Sequence, residues 1–227
     1  MPGPARRRSP DRDAALAQYR GRADRYDTEL ALFEPIRRDA VSALQLARGD
    51  TVLDVGCGTG LSFPLLRQQV GKAGRVIGIE QSPEMMGKAH ARVQENHWDN
   101  VDLVCAPAAS AQVEGKADAA LLHFTHDIMR EPAAIANVLS HLRPGARVVA
   151  SGLKWAPAWF WPTNAFVMLA ALYSVTSFDG LGKPWDRFAR QLRDVHVDTA
   201  LMGGIYIATG VYDPALHPVP TASPSDR

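Results

Sequence analysis

The chain has 227 residues, 46% hydrophobic and 22% charged, which are the proportions of one soluble globular domain with a full-sized core and no room for a second complete one. With 25 Lys and Arg against 24 Asp and Glu, the net charge is +1, which removes any global electrostatic case for a nucleic-acid binder or a purely ionic membrane attachment. The only cysteines, Cys57 and Cys105, lie far apart in apolar stretches that read as buried, so free thiols in a reducing, cytoplasmic compartment are expected instead of a disulfide framework.

The opening MPGPARRRSPDRD carries Arg6, Arg7 and Arg8 with no apolar region behind them, so residues 1–13 read as a disordered basic tail and not as a secretory signal. Residues 14–48 follow with helical spacing and carry Tyr19, Tyr26 and Phe33. Next, short β-rich runs alternate with helical stretches. TVLDVG, RVIGIE, VDLVCA, ADAALLHF and ARVVASG are strand candidates; LSFPLLRQQV, SPEMMGKAHARVQENH and PAAIANVLSHL are helix candidates, the second opened by Ser82-Pro83. This rhythm predicts an α/β fold with a doubly wound, mostly parallel sheet covered on both faces.

From Trp155 to Phe178 no residue is charged, but Pro157, Pro162, Thr163 and Asn164 interrupt the run and leave AFVMLAALY, too short to span a bilayer. A buried helix or a hydrophobic cap over a pocket is expected there, with interfacial membrane contact as the alternative. DVHVDTALMGGIYIATGVY predicts two antiparallel strands joined through Gly203-Gly204, and 212–227, rich in Pro and Ser, reads as a loose tail. The expected organisation is one domain over 14–211, with 14–48 as a helical lid and 152–190 as a substrate cover, both folding over a ligand beyond the carboxyl ends of the strands.

The stretch VLDVGCGTG places Gly56, Gly58 and Gly60 after the first strand. A dinucleotide fingerprint would need glycine at position 61, where the chain has Leu61. The G-x-G-x-G spacing, preceded by Asp54 and followed by Glu80 at the end of the second strand, resembles motif I and its follower in the class I S-adenosylmethionine-dependent methyltransferases. The resemblance covers about Val52 to Gly152, including LRPGARVVA as the family's helix-turn-strand before the fifth strand. It implies a seven-stranded sheet with an antiparallel last strand and S-adenosylmethionine as cofactor. Glu80 would accept both ribose hydroxyls. Asp54 would lie near the ammonium, and the turn Gly56, Cys57, Gly58, Gly60 would pass close to the methionine and ribose. Adenine would lie between Gln81 and the loop Ala106, Pro107, Ala108, where many members place an Asp that this chain lacks.

Strand four ends in LLHFTHDIMREP, without the N/D-P-P-Y/F turn of members acting on nucleobases or glutamine. His123 or His126 is a candidate general base for a hydroxyl acceptor. The same cluster with Asp127 has two other readings, a local hydrogen-bonded wall and a metal site, and because its two imidazoles do not suit magnesium no metal is expected. The N-terminal YRGRADRYDTELALFEPIRRDAV resembles the lid of quinone-biosynthesis and phospholipid branches of the family, which would set Tyr19 and Tyr26 against the sulfonium methyl; packing on one helix face is the alternative. Trp155, Trp159, Asn164, Tyr173 and Phe178 are expected to line the substrate site. The resulting expectation is a methyltransferase acting on a small apolar or aromatic molecule, with no nucleic acid and no integral membrane span. Three alternatives stay open: a quinone or phospholipid methyltransferase, an enzyme that cyclises or cleaves the cofactor, and a non-catalytic cofactor-binding protein.

Overall fold

A computed structural model describes residues 33–174 and 180–216. The N-terminal tail, residues 14–32 of the lid, residues 217–227, Tyr19, Tyr26 and Phe178 lie outside the described residues, and Tyr173 is described only as a position on a helix. The stretch expected to be loose from residue 212 is ordered at its start, where Tyr212 ends the last strand and Pro214–Leu216 form a 3-10 turn.

Among the described residues seven strands make one sheet: β1 (Thr51–Val55), β2 (Arg75–Glu80), β3 (Val101–Cys105), β4 (Ala117–His123), β5 (Leu142–Leu153), β6 (Leu192–Ala200) and β7 (Ile205–Tyr212). Their order is β3-β2-β1-β4-β5-β7-β6. The pairs β3/β2, β2/β1, β1/β4 and β4/β5 are parallel, and β7 runs antiparallel to both β5 and β6. The sheet thus has six strands in one direction with β7 reversed between two of them, as the sequence predicts.

Helices cover both faces because consecutive residues of each strand point to opposite sides. On one face Val52, Val76, Ala119, Leu121 and Val149 pack with α1 (Glu34–Ala43), α2 (Phe63–Val70) and α3 (Pro83–Glu95). On the other, Leu53, Val55, Ala120, Leu122 and Val148 pack with α4 (His126–Arg130), α5 (Pro132–Ser140) and α7 (Asp186–Ala189). The cap of α3 is the one Ser82-Pro83 predicts: the Ser82 hydroxyl accepts the Met85 N–H at 3.3 Å.

Three expectations change. LRPGARVVA is not helix-turn-strand but the bulged start of β5, where Leu142 pairs with Ala117 and Arg147 with Ala119; burying Leu142 on the sheet holds the pairing across the Pro144-Gly145 turn. Cys105 is exposed, since β3 is an edge strand, and Cys57 is only half-buried. The apolar run after β5 forms α6 (Trp161–Ser174), which is not a fully buried helix: it buries Thr163 and Val167 and leaves Phe166, Met168 and Leu169 exposed. No described helix is long and apolar enough to cross a membrane.

Candidate cofactor and active site

The glycine turn between β1 and α2 is fixed by neighbours on three sides. The Gly56 and Cys57 N–H groups both donate to the Ile79 carbonyl, at 2.7 and 3.0 Å, which binds the turn to the end of β2. All three glycines have left-handed backbone, φ 71°, 58° and 80°. A Cβ on Gly56 would lie 2.6 Å from the Thr125 methyl, and one on Gly60 2.4 Å from the Phe63 ring. Gly56 and Gly60 therefore have packing reasons of their own. Gly58 points its N–H at Glu80.

Glu80 is held from two sides. Its Oε2 accepts the Gly58 N–H at 3.1 Å and its Oε1 accepts the Ser82 N–H at 2.8 Å. A carboxylate has about four lone-pair sites, so each oxygen keeps acceptor capacity for a hydroxyl. Burial raises its pKa, opposed by the backbone donors of Ser82, Gly58 and Gln81. Gln81 is half-buried at the start of the turn into α3. Burial pushes the Cys57 thiol well up, with Asp54 and Glu80 adding to the effect, so Cys57 is an un-ionised wall residue and not a nucleophile.

In the loop after β3, the Ala106 N–H donates to the Glu80 carbonyl at 3.0 Å, and the Pro107 carbonyl accepts from Ser110 and Ala111 at 2.9 and 2.8 Å. The Ala108 side chain is buried in the core. The backbone of Ala106 and Pro107 thus forms a tight turn beside Glu80, and Ala108 supports it from below.

Asp54, two residues before the first glycine, is 2% exposed, and its Oδ2 has no partner. Burial raises its carboxyl from 3.8 to about 7; the Arg37 guanidinium opposes this shift and Glu80 adds to it. His123 ends β4 on the same side of the sheet as Leu121, two residues earlier. Its Nδ1 is 2.7 Å from the Ser151 hydroxyl on β5, while its Nε2 is buried without a partner. The residue is half-buried overall, but the buried imidazole and the nearby Arg37 charge lower its pKa from 6.5 to about 3. His126 is buried at the start of α4.

Sequence reasoning missed two parts of this site. Arg37 on α1 is buried, paired with Glu34, and acts electrostatically on both Asp54 and His123. Its signal was a lone arginine two residues after Pro35 on a face otherwise made of Ile36, Ala40 and Val41. The second part is an aromatic cluster beside His123. The Phe124 ring stands edge-on to the imidazole at 4.7 Å, Phe33 packs on Phe124 at 4.9 Å and on Phe166 at 6.3 Å. Phe124 takes a left-handed φ of 56° and is tied by its N–H to the Ser151 carbonyl at 2.7 Å.

The expected substrate residues spread apart. Trp155 is half-buried, its N–H donating to the Leu181 carbonyl at 2.9 Å. Asn164 ties its own loop, its Oδ1 accepting the Ala156 N–H at 2.9 Å. Trp159 is 76% exposed and packs on Phe160, not on the aromatic cluster.

The methyltransferase-domain family model matches residues 52–145. The arsenite methyltransferase of Halobacterium salinarum is 33% identical over 111 residues, 47% of this chain and 28% of that protein. The chain spans only 28–33% of the length of the first curated relatives it matches. The 2-phytyl-1,4-naphtoquinone methyltransferase of Thermosynechococcus vestitus is 30% identical over 170 residues, 66% of this chain and 73% of that protein. The chain belongs to the class I S-adenosylmethionine-dependent methyltransferase family. In fold, the chain superposes on the N-methyltransferase NodS of Bradyrhizobium japonicum in complex with S-adenosylhomocysteine. The TM-score is 0.64 at 16% identity, covering 87% of this chain and 97% of the other. The family's cofactor fits the residues present. Glu80 keeps free lone pairs for a diol, and the unpartnered Asp54 Oδ2, with Arg37 nearby, suits an amino-acid head.

Proposed function

We propose that this chain transfers a methyl group to a small apolar or aromatic acceptor. The observation that carries the reading is the cluster Phe33, Phe124 and Phe166 built against the buried imidazole of His123, an apolar surface with one neutral hydrogen-bonding group. The 2-phytyl-1,4-naphtoquinone methyltransferase acts, by its name, on an aromatic acceptor of this kind.

When bound, S-adenosylmethionine supplies an electrophilic methyl on a sulfonium. Glu80 would hold the ribose, Asp54 and Arg37 would face the two charges of the amino-acid head, and the backbone near Gln81 and Ala106 would hold the adenine in place of the usual Asp. The aromatic cluster excludes water and sets the acceptor's plane. His123 acts as a hydrogen-bond partner that orients the acceptor's heteroatom, since a ring with a pKa of about 3 is neutral at every physiological pH and a weak base. Of the two candidate bases, His123 is thus read as an orienting group rather than as the base. Most of the rate gain comes from holding nucleophile, methyl and sulfur in line.

Incubation with cofactor and a panel of hydroxylated naphthoquinones, phenols and polar acids tests the reading. Acceptor-dependent S-adenosylhomocysteine, formed with the aromatic members and not with the acids, is expected. Methylthioadenosine as the product, or turnover with the acids alone, would overturn it.

A further inference from the structure

Ser151 is bonded to two residues of the acceptor site at once. It lies on β5, 1% exposed, opposite His123 in the β4/β5 register. Its carbonyl accepts the Phe124 N–H at 2.7 Å, and its hydroxyl stands 2.7 Å from His123 Nδ1. Phe124 has a φ of 56°, a left-handed conformation that a bulky side chain adopts only where its surroundings impose it. Backbone imposed in this way gathers at functional sites.

The contact with Nδ1 has a direction. Burial and the Arg37 charge lower the His123 pKa to about 3, so the ring is neutral and carries a single N–H. A serine hydroxyl has one proton to donate, and among the described residues the Ser151 hydroxyl has no partner other than Nδ1. Were Nδ1 the protonated nitrogen, that hydroxyl proton would be buried without an acceptor, at the full cost of its desolvation. With the hydroxyl donating to Nδ1, its proton is satisfied and the ring N–H falls on Nε2. Nε2 is itself buried, with no partner among the described residues. A buried N–H without an acceptor is the exception in folded proteins and marks where an acceptor from outside belongs.

We infer that Ser151 is a positioning residue that fixes His123 as a donor at Nε2, and that this N–H receives the ionised oxygen of an aromatic acceptor, a phenolate or a hydroxyquinone anion. The inference rests on the reading of the site as one for an aromatic molecule and narrows it to acceptors that bind as anions. A ring whose Nε2 already holds its proton, and whose Nδ1 lone pair is taken by Ser151, has no lone pair for the proton of a neutral phenol. Charge points the same way. The charged group acting on the imidazole is Arg37 of α1, which also pairs with Glu34 and acts on Asp54 of β1. A cation favours the ionised form of a neighbouring phenol. Phe33, Phe124 and Phe166 offer the apolar surface for its ring.

Two measurements without turnover test it. In the full chain with isotope-labelled histidine, the couplings of the ring nitrogens in nuclear magnetic resonance identify which nitrogen of His123 is protonated. The Nε2–H ring is expected in the parent and in Ser151→Thr, which keeps the hydroxyl, and a mixture of the two tautomers in Ser151→Ala. The second measurement follows para-nitrophenol, whose ionised form absorbs visible light, bound to the chain loaded with S-adenosylhomocysteine, a ligand without the sulfonium charge. The bound probe should ionise about one pH unit or more below the free one, a tenfold preference for the anion. Ser151→Ala and His123→Leu should remove most of that shift and Ser151→Thr should keep it, with melting temperatures showing that each variant is folded. An Nδ1–H ring in the parent, a tautomer unmoved by Ser151→Ala, or a probe that does not bind or binds without the shift would overturn the inference. A failed acceptor panel with both results intact would instead strike the choice of reaction, because neither measurement involves methyl transfer.

Discussion

Folding moves the Asp54 carboxyl and the His123 imidazole in opposite directions. In the folded chain Asp54 is raised from 3.8 to about 7 and His123 lowered from 6.5 to about 3. Between pH 3.8 and 6.5 the unfolded chain carries a proton on the histidine and the folded chain carries one on the aspartate, so the pair contributes little slope to stability there. Single substitutions should expose two opposed slopes. In His123→Asn only the raised carboxyl remains; its folded form binds the extra proton, so stability rises as pH falls from about 7 towards 4. In Asp54→Asn only the lowered imidazole remains, and stability is lost as pH falls from 6.5 towards 3. Each slope approaches about 1.4 kcal/mol per pH unit, read by urea unfolding; parallel profiles for parent and variants would refute the two shifts. If Asp54 takes the cofactor's ammonium, binding must ionise it. Calorimetry at pH 6.5 in buffers of differing ionisation heat should then show proton release that Asp54→Asn abolishes. Glu80→Ala should weaken cofactor binding by about 1–3 kcal/mol; an unchanged dissociation constant in a folded variant would remove Glu80 from the site.

The glycine turn is braced from beneath by Phe63 of α2, which is fully buried. A Cβ on Gly60 would touch its ring at 2.4 Å, and one on Gly78 in β2 would meet the same ring at 2.7 Å, with Cys57 Sγ and Leu103 both at 3.0 Å. Gly78→Ala should therefore cost about 1–3 kcal/mol by overpacking. Phe63→Leu combined with it should cost less than the two changes added, since both draw on one space; additive losses in denaturant melts would show that the sites are independent. Gly78 also shows where sequence reading stops. The turn, Glu80 at the end of β2 and all seven strands, the terminal hairpin included, were legible because periodicity and glycine spacing are local. Gly78 is silent in sequence, since its reason is a ring 15 residues away in the chain. Arg37 was unread for the same reason: its partners Asp54 and His123 meet it only once α1 packs on the sheet. The bulged start of β5 was misread because Pro144-Gly145 is a helix-stop signal, and only the pairing of Leu142 with Ala117 shows that it interrupts a strand.

At the scale of the molecule the proposed cofactor site would draw on β1, β2 and β4, which are neighbours or next neighbours in the sheet, with α1 packed on one face of it. Ligand binding to the native state alone stabilises by mass action, about 2.7 kcal/mol at a hundredfold excess over the dissociation constant. S-adenosylhomocysteine should therefore raise the melting temperature by several degrees, and Gly58→Val should abolish the rise more than it lowers the starting value. A rise retained in Gly58→Val would mean the glycine serves only the turn. The strand order carries a consequence for synthesis. The β7 strand lies between β5 and β6, although it is the last of the seven in sequence. As the chain leaves the ribosome, β1, β2, β3, β4 and β5 can associate in succession, each beside a strand already made. The outer edge of β5 then has no neighbour until residues 205–212 emerge, and β6 has nothing to pair with in the meantime. For that interval the nascent chain presents an open apolar strand edge, the feature that recruits chaperones or other copies of the chain. A ribosome pause at any codon before residues 205–212 have emerged from the exit tunnel would lengthen this exposure.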